Sequence, residues 1–487
     1  KLRELLSGVS VLACTADMEM EISGVSYDSR SVRPGDLFVA MTGFAVDGHK
    51  FIAAAQEKGA AAALCQKEPG GTLPYVRTED SRRALAIVGA NWFGHPAKEM
   101  TMVAVTGTCG KTTTTYLLKA ILEQAAGAKV GLIGTNQNMI GDAALPTDRT
   151  TPESFEVQKL FREMADAGCT HVVMETSSHA LYLDRVYGVH YDVGVFTNLT
   201  QDHLDFHKTM ESYCDAKAIL FRNCSVGVVN ADDRETPAIL EGHSCRVVRY
   251  GIAAPADWLA LPGFTPRRKA DALATDFTVR LPGGRMADFT VPMPGAFSVQ
   301  DALAALAAAG VLGVPVAAMQ AGLRGAVVRG RCEVVPCPAP FTVVLDYAHN
   351  AAAAESVLTA LRAYHPRQLI TVFGCGGGRS RLRRTGMGEA CARLADLCIV
   401  TEDNSRGEPL ENIFADIRTG MDRVQNGAAC VEIPNRRDAL LYALGLGREG
   451  DILAVLGKGH ETTIDRDGRK VPFEDAAVVR EYMERVK

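Results

Sequence analysis

The sequence predicts a three-domain α/β protein, and three observations carry that prediction. Apolar strand-like runs recur along the 487 residues, each closing where small or polar residues begin. One of these runs passes through a glycine-rich turn straight into a helical stretch. The length itself corresponds to about three units of roughly 150 residues. We read a smaller N-terminal α/β domain over 1–97, a central phosphate-loop domain with a mostly parallel sheet over 98–328, and a C-terminal Rossmann-like α/β domain over 329–487.

In the first domain, GDLFVAMTG (35–43) and AAALC (61–65) read as strands and 81–93 as a helix, with GHPAKEM (94–100) as a linker. The central domain opens on MVAVTG (102–107). HVVMET (171–176), VGVFTN (193–198) and VGVVNADD (226–233) follow at intervals that leave room for helices. Alternation of this kind implies a parallel sheet covered on both faces. From 257 to 291 the pattern changes to Gly/Pro turns and short alternating runs, which predicts an antiparallel edge or insertion. The uncharged stretch 302–323 is long enough to span a bilayer, but GVLGVP (310–315) interrupts it, so two packed helices are expected. After a hinge at RGR (329–331), TVVLDY (342–347), LITVFG (369–374), LCIVTED (397–403) and DILAVLG (451–457) describe a second doubly wound unit.

Composition narrows the function. Lys plus Arg total 52 against 57 Asp plus Glu, a net charge of −5, which argues against nucleic-acid binding. The 13 cysteines include no C-x-x-C pair, so free thiols are expected rather than a disulfide framework or a zinc site. KLRELLSGVSVLACTADMEM (1–20) has no long apolar core, and a cytoplasmic protein without membrane insertion is predicted.

The chemistry-bearing motifs follow the strands, where open α/β sheets bind ligands. AVTGTCGKTTTT (104–115) leaves a strand and enters a helix, so its backbone N–H groups can hold phosphate oxygens. Lys111 would reach the terminal phosphates and the Thr112 hydroxyl a magnesium ion. The full phosphate-loop pattern would have glycine where Val105 stands. Glu175 at a strand end, and the cluster Asn198, Asp202, His203, Asp205 and His207, are candidate oxygen and nitrogen donors for that ion. Lys217, in YCDAKAILF, reads by residue type alone as a surface lysine on an amphipathic helix.

Together these residues resemble the Mur ligases, ATP-dependent amino-acid ligases of peptidoglycan precursor synthesis. SYDSRSVRPGDLFVAMTGFAVDGHKFI (26–52), TGTCGKTTT, TTPES, METSSHAL, FTNLTQDHLDFH, DYAHN, VFGCGG and GKGHE stand in the family's order across nearly the whole chain. The resemblance implies that Tyr27, Ser29 and His49 hold uridine. It assigns Thr150, Thr151, Ser177 and Arg185, with Lys217, to the muramoyl-peptide substrate. It implies ATP contacts from Thr106, Gly107, Thr108, Cys109, Gly110, Lys111, Thr112 and Thr113, and from Arg331, Asp346, His349 and Asn350 across a domain boundary. Lys217 matches a lysine that the family carbamylates. The resulting carboxylate would join Thr112, Glu175 and His203 in holding Mg²⁺, with Lys111, Lys217 and His203 as the catalytic set.

The sequence departs from the family at several points. Cys109 replaces Asn or Ser, Leu183 a glutamine contact, and FSVQD (297–301) the usual FNxxN. Gly378, Ser380 and Arg383 replace Asp, Asp and Lys, and Asn350 lacks its following proline.

TEDNSRGE (401–408) aligns with the DNPR motif of the members that add meso-diaminopimelate. That amino acid differs from lysine by a second carboxylate, which the Arg406 guanidinium can hold bidentately beside Asn404. Arg379, Asp403, Gly457 and Glu461 complete the implied pocket, with Glu461 facing the ammonium group. Ser405 in place of proline relaxes the loop. The expected substrates are therefore ATP, UDP-MurNAc-L-Ala-D-Glu and meso-diaminopimelate, acting on a monomer. L-Lysine as the added amino acid, a folylpolyglutamate synthase-like ligase and a nucleotide switch without ligation remain alternatives.

Overall fold

The computed structural model describes residues 1–43, 46–125, 127–147, 149–269, 272–336 and 339–486. The chain forms two compact units, Lys1–Lys111 with Ala126–Val248, and Thr112–Ala125 with Arg249–Lys487. The three predicted α/β regions are each built around a mostly parallel sheet.

The first unit contains two sheets. One has five strands in the order Val11–Cys14, Tyr75–Thr78, Ala62–Cys65, Asp36–Val39 and Gly24–Ser26, antiparallel only at the Val11–Cys14 edge. The second runs Cys224–Asn230, Tyr191–Phe196, Thr101–Thr106, His171–Glu175 and Val130–Ile133 in parallel, continued by the short antiparallel strands Asn138–Ile140 and Ala143–Leu145. As the sequence implied, Glu175 ends the strand beside the one that feeds the glycine-rich turn, paired with Val105. The expected linker 94–100 holds a 3₁₀ turn, Pro96–Glu99, and Arg162 grips Glu99 through both carboxylate oxygens at 2.7 and 3.0 Å.

In the second unit, Thr265–Lys269, Ala272–Arg280 and Met286–Val291 form the predicted antiparallel layer. The apolar stretch 302–323 is two helices, Gly295–Val311 and Val316–Gly325, and among the described residues no helix is long and apolar enough to cross a membrane. The six-stranded sheet runs Glu333–Val335, Thr342–Asp346, Ile452–Leu456, Leu369–Phe373, Leu397–Val400 and Ala429–Glu432, parallel except for the first. Its central strands are mostly apolar because alternate residues enter opposite cores. Val343, Leu345, Ile370, Val372, Leu453 and Val455 pack on one side. Val344, Leu369, Phe373, Ala454 and Leu456 pack on the other. No described cysteine forms a disulfide.

An ion pair with no solvent exposure ties the ends of two of these strands to a helix. Arg436 is 0% and Asp475 1% exposed, and their two contacts are both 2.8 Å. The same guanidinium donates to the carbonyls of Leu456 (3.0 Å) and Glu402 (3.3 Å), fixing the chain just before Asp403 and Gly457. Removing one member strands a buried charge, whereas replacing both with apolar groups does not. Asp475→Ala is therefore expected to cost about 3–5 kcal/mol in urea-unfolding free energy. The Arg436→Met/Asp475→Leu double variant should recover most of that loss. Equal losses in the single and double variants would contradict this account.

Candidate active site

The glycine-rich turn is held open by the strand next to it. Gly107 has φ 153°, and a Cβ there would collide with Thr197 Oγ1, so only glycine lets the two strand ends approach. Thr197 Oγ1 donates to the Cys109 carbonyl (2.6 Å). Asn198 grips the same residue twice, accepting from Cys109 N–H (2.9 Å) and donating to its carbonyl (3.2 Å). Cys109 thus takes part through its backbone, so the change from Asn or Ser leaves the turn intact.

Two ammonium groups meet on this turn. Lys111 Nζ donates to the carbonyls of Gly107 and Thr108, both at 2.8 Å, and Lys217 Nζ donates to the same Gly107 carbonyl at 2.9 Å. Lys217 is 1% exposed and lies 4.5 Å from the centre of the Tyr213 ring, whose hydroxyl is 3.1 Å from Thr108 Oγ1. Reading Lys217 from residue type as a surface lysine is corrected here. Its helix turns it inward, and burial, reinforced by the Lys111 charge, pulls its pKa well below that of an ordinary lysine.

The candidate metal donors stand in different settings. Glu175 is fully buried and takes both the N–H (2.8 Å) and the hydroxyl (2.9 Å) of Thr135. His203 is half-exposed, with φ 53°, and its ring lies edge-on to His179 at 4.9 Å. Burial lowers its pKa, Asp202 opposes that, and Lys111 and Lys217 lower it further. Among the described residues no three His, Cys, Asp or Glu side chains cluster closely enough to cage a metal. The crowded segment 198–207 is thus no metal nest: Asn198 braces the turn and His207 Nε2 pairs with Ser178 Oγ at 2.9 Å.

The residues expected at the muramoyl peptide are drawn together around Glu175. Thr151 Oγ1 donates to the Glu175 carbonyl (2.8 Å) and accepts from Ser177 N–H (3.1 Å). Thr150 Oγ1 lies 3.0 Å from Thr135 Oγ1, and Arg185 donates to the Thr151 carbonyl at 3.1 Å. Ser177 also caps the helix Ser178–Tyr182. Tyr27 and Ser29 are half-buried, and burial, with Glu156 beside it, pushes the Tyr27 phenol up. His49 has both ring nitrogens occupied: Nε2 accepts from Gln66 N–H (2.9 Å), so Nδ1 carries the proton shared with Asp47 at 2.6 Å.

In the second unit, Arg379, Asp403, Asn404, Arg406, Gly457 and Glu461 line one cavity of about 100 Å³, so every residue expected at the amino acid meets there. Gly457 has φ 109°, and a Cβ would press on Asp403 Oδ2 at 2.7 Å. Glu461 Oε2 accepts from Asn404 (3.0 Å) and from Lys458 (2.8 Å), which is 0% exposed, while Oε1 lies 3.4 Å from the Tyr347 hydroxyl. No carboxylate ion-pairs with Arg379, Arg383 or Arg406 among the described residues. Arg331 lies over the Tyr347 ring at 4.8 Å, with Nη2 3.5 Å from Thr112 Oγ1. Asp346 and Asn350 are committed to backbone: Asp346 accepts from Cys332 and Ala348 N–H (both 2.7 Å), and Asn350 caps the helix Ala351–Arg362. His349 Nδ1 is 2.7 Å from the Tyr347 carbonyl.

Sequence reasoning missed Lys458, Tyr347 and Arg384. Lys458 was signalled by its i, i+3 spacing to Glu461. Arg384 is 2% exposed and pairs with Glu408 and Asp416, bracing the loop at Gly378, and it had no local signal.

Comparison with known proteins agrees with this arrangement. A family model described as "Mur ligase family, catalytic domain" matches residues 21–97, "Mur ligase middle domain" matches 105–309, and "Mur ligase, glutamate ligase domain" matches 330–459. The UDP-N-acetylmuramoyl-L-alanyl-D-glutamate–2,6-diaminopimelate ligase 1 of Clostridium acetobutylicum is 39% identical over 489 residues, covering 99% of this chain and 99% of its own. A solved UDP-N-acetylmuramoyl-L-alanyl-D-glutamate–2,6-diaminopimelate ligase is similar at TM-score 0.71 and 29% identity, over 100% of this chain and 99% of that one. Folylpolyglutamate synthase of Mycobacterium tuberculosis, complexed with ADP and AMPPCP, shares the fold at TM-score 0.61 and 19% identity, over 77% of this chain and 92% of its own.

Proposed function

The chain belongs to the Mur ligase family, and from that membership we propose that it joins meso-diaminopimelate to UDP-MurNAc-L-Ala-D-Glu at the expense of ATP, in peptidoglycan precursor synthesis. The observation that carries the choice of amino acid is the cavity lined by Arg379, Arg383 and Arg406 together with Asp403 and Glu461, its fourth arginine, Arg384, being taken up by Glu408 and Asp416. Diaminopimelate has two carboxylates and two ammonium groups, and this charge pattern complements it. L-Lysine, with one carboxylate fewer, would leave these guanidinium donors short of an acceptor. The likeness to folylpolyglutamate synthase reaches the fold alone.

The reaction follows from the chemistry of its parts. The D-Glu γ-carboxylate attacks the γ-phosphorus of ATP, ADP leaves, and an acyl phosphate forms. The diaminopimelate amine then attacks the carbonyl carbon, the tetrahedral intermediate expels inorganic phosphate, and the amide remains. Carboxylate and triphosphate repel each other, so positive charge must be fixed where they meet. Lys111 and the backbone N–H groups of the turn are proposed to supply it. Glu461 would orient the incoming amine, and closure of the protein around the acyl phosphate would exclude water. Residues 1–97, 98–328 and 329–487 would carry the UDP-substrate, the ATP and the amino acid.

Glu175 and His203 are proposed to supply donors to a magnesium ion, with phosphate oxygens and water completing its shell, as that ion is usually bound; Glu175 would exchange a Thr135 hydrogen bond for it. Bound there, it would neutralise developing phosphate charge. Lys217 is proposed to be carbamylated. An amine whose pKa is lowered by burial and by Lys111 can, once neutral, add to CO₂, forming the N–C bond and releasing a proton. The resulting carboxylate would replace repulsion of Lys111 by attraction. ATP and a UDP-linked precursor as substrates, with cysteines kept as thiols, fit a cytoplasmic reaction.

Arg406→Ala should raise KM for diaminopimelate by about tenfold to a hundredfold, as expected for loss of a charge-assisted contact, with KM for ATP little changed. The unaltered enzyme should prefer diaminopimelate to L-lysine by at least about a hundredfold in kcat/KM. Comparable use of L-lysine would overturn the assignment. For Lys217, protein equilibrated with ¹³C-bicarbonate should show a carbamate carbonyl signal that is absent from Lys217→Ala. No signal in the unaltered protein would refute the modification.

A further inference from the structure

Three arginines in the first unit converge on a single carboxylate oxygen. Arg82 is on the helix Ser81–Trp92, Arg149 immediately precedes Thr150 and Thr151, and Arg185 follows the helix Ser178–Tyr182. Their nitrogens lie 3.8, 3.7 and 3.4 Å from Glu153 Oε2. Glu153 is only 7% exposed and caps the helix Ser154–Asp166.

One carboxylate cannot satisfy three guanidinium groups. Arg82 Nη1 and Arg185 Nε are buried donors with no hydrogen-bond partner. Among the described residues, their other arms reach backbone carbonyls, Thr42 at 3.4 Å and Thr151 at 3.1 Å. The neighbouring acids do not remove the surplus. Asp184 is held by Arg83 at 3.2 Å, and Glu156 lies in electrostatic reach of the Tyr27 phenol, with burial pushing its carboxyl up. Burial lowers the Arg185 pKa, Glu153 opposes that, and the charges of Arg149 and Arg82 lower it further. Buried donors without acceptors are costly, and a surplus of two positive charges at a partly buried site calls for a doubly negative partner.

We propose that Arg82 and Arg149, with Arg185, bind the diphosphate of the UDP-linked substrate. A diphosphate diester carries two negative charges and presents splayed oxygens that guanidinium groups bind bidentately. Its position along the substrate fits as well. Tyr27, proposed for uridine, is in electrostatic reach of Glu156, Glu153 and Arg149 on one side. Thr151, proposed for the muramoyl peptide, is bonded to Arg185 on the other. In the substrate, the diphosphate is the piece that joins those two ends. The inference rests on the functional reading above.

Competition by UDP and by uridine against UDP-MurNAc-L-Ala-D-Glu tests it in the full-length enzyme. UDP should inhibit the unaltered enzyme at least about tenfold better than uridine. Arg82→Gln and Arg149→Gln should each raise the UDP inhibition constant by about tenfold to a hundredfold. The uridine constant and KM for ATP and diaminopimelate should not move, and Arg82→Lys should restore part of the loss. Unchanged UDP inhibition in both variants would overturn the inference, as would parallel losses for UDP and uridine, which mark a structural role. So would a loss seen only with the substrate's peptide carboxylate. An unaltered enzyme that does not turn over UDP-MurNAc-L-Ala-D-Glu would overturn the functional reading and this inference with it. A competent enzyme with unaffected variants overturns this inference alone.

Discussion

The Gly107 carbonyl accepts from two ammonium groups, Lys111 and the buried Lys217, and much of the first unit is arranged to permit that. Bringing two cations together away from water is unfavourable unless one loses its charge or an anion joins them. The protein supports the arrangement mechanically. Thr197 and Asn198 tether the turn to the next strand, Gly107 lets the strands close up, and Tyr213 covers the Lys217 amine. A triphosphate brought to the turn would meet positive charge already in place, so little reorganisation is needed as charge shifts during phosphoryl transfer.

The second unit solves a different problem, holding a polar cavity open without letting its own groups neutralise one another. Buried ion pairs do the holding. Arg436 with Asp475 fixes the strand ends before Asp403 and Gly457, and Arg384 occupies Glu408 and Asp416. Lys458 and Asn404 occupy one oxygen of Glu461 and thereby orient the carboxylate. Such pairs add little net stability compared with apolar packing. Their contribution here is a fixed geometry around Arg379, Arg383 and Arg406, which ion-pair with no carboxylate among the described residues.

Much of this was legible in the sequence because parallel strands buried on both faces are apolar throughout and end abruptly in polar motifs. Residues 102–107, 171–176, 193–198, 342–347, 369–374 and 451–457 all read correctly for that reason, as did the antiparallel layer near 257–291. Short or exposed strands gave no such signal. Val11–Cys14, Ala429–Glu432 and the hairpin Thr463–Arg466 with Arg469–Pro472 depend on their neighbours rather than on their own pattern. Among site residues, Lys111 was legible from its turn, but the burial of Lys217 was not. Its helix carries polar and apolar residues on most faces, and only the tertiary setting decides which way the lysine points. Arg82 and Arg149 were hidden for a related reason: surplus charge is visible only once all the acids nearby have been assigned partners.

In the proposed reaction, fixed cations allow a carboxylate to attack a triphosphate, so that the acid is activated before the amide forms. Transfer of ¹⁸O from the D-Glu γ-carboxylate of UDP-MurNAc-L-Ala-D-Glu tests this most directly. One ¹⁸O atom from each labelled carboxylate should appear in the inorganic phosphate released with the product. Unlabelled phosphate accompanying normal amide formation would contradict it.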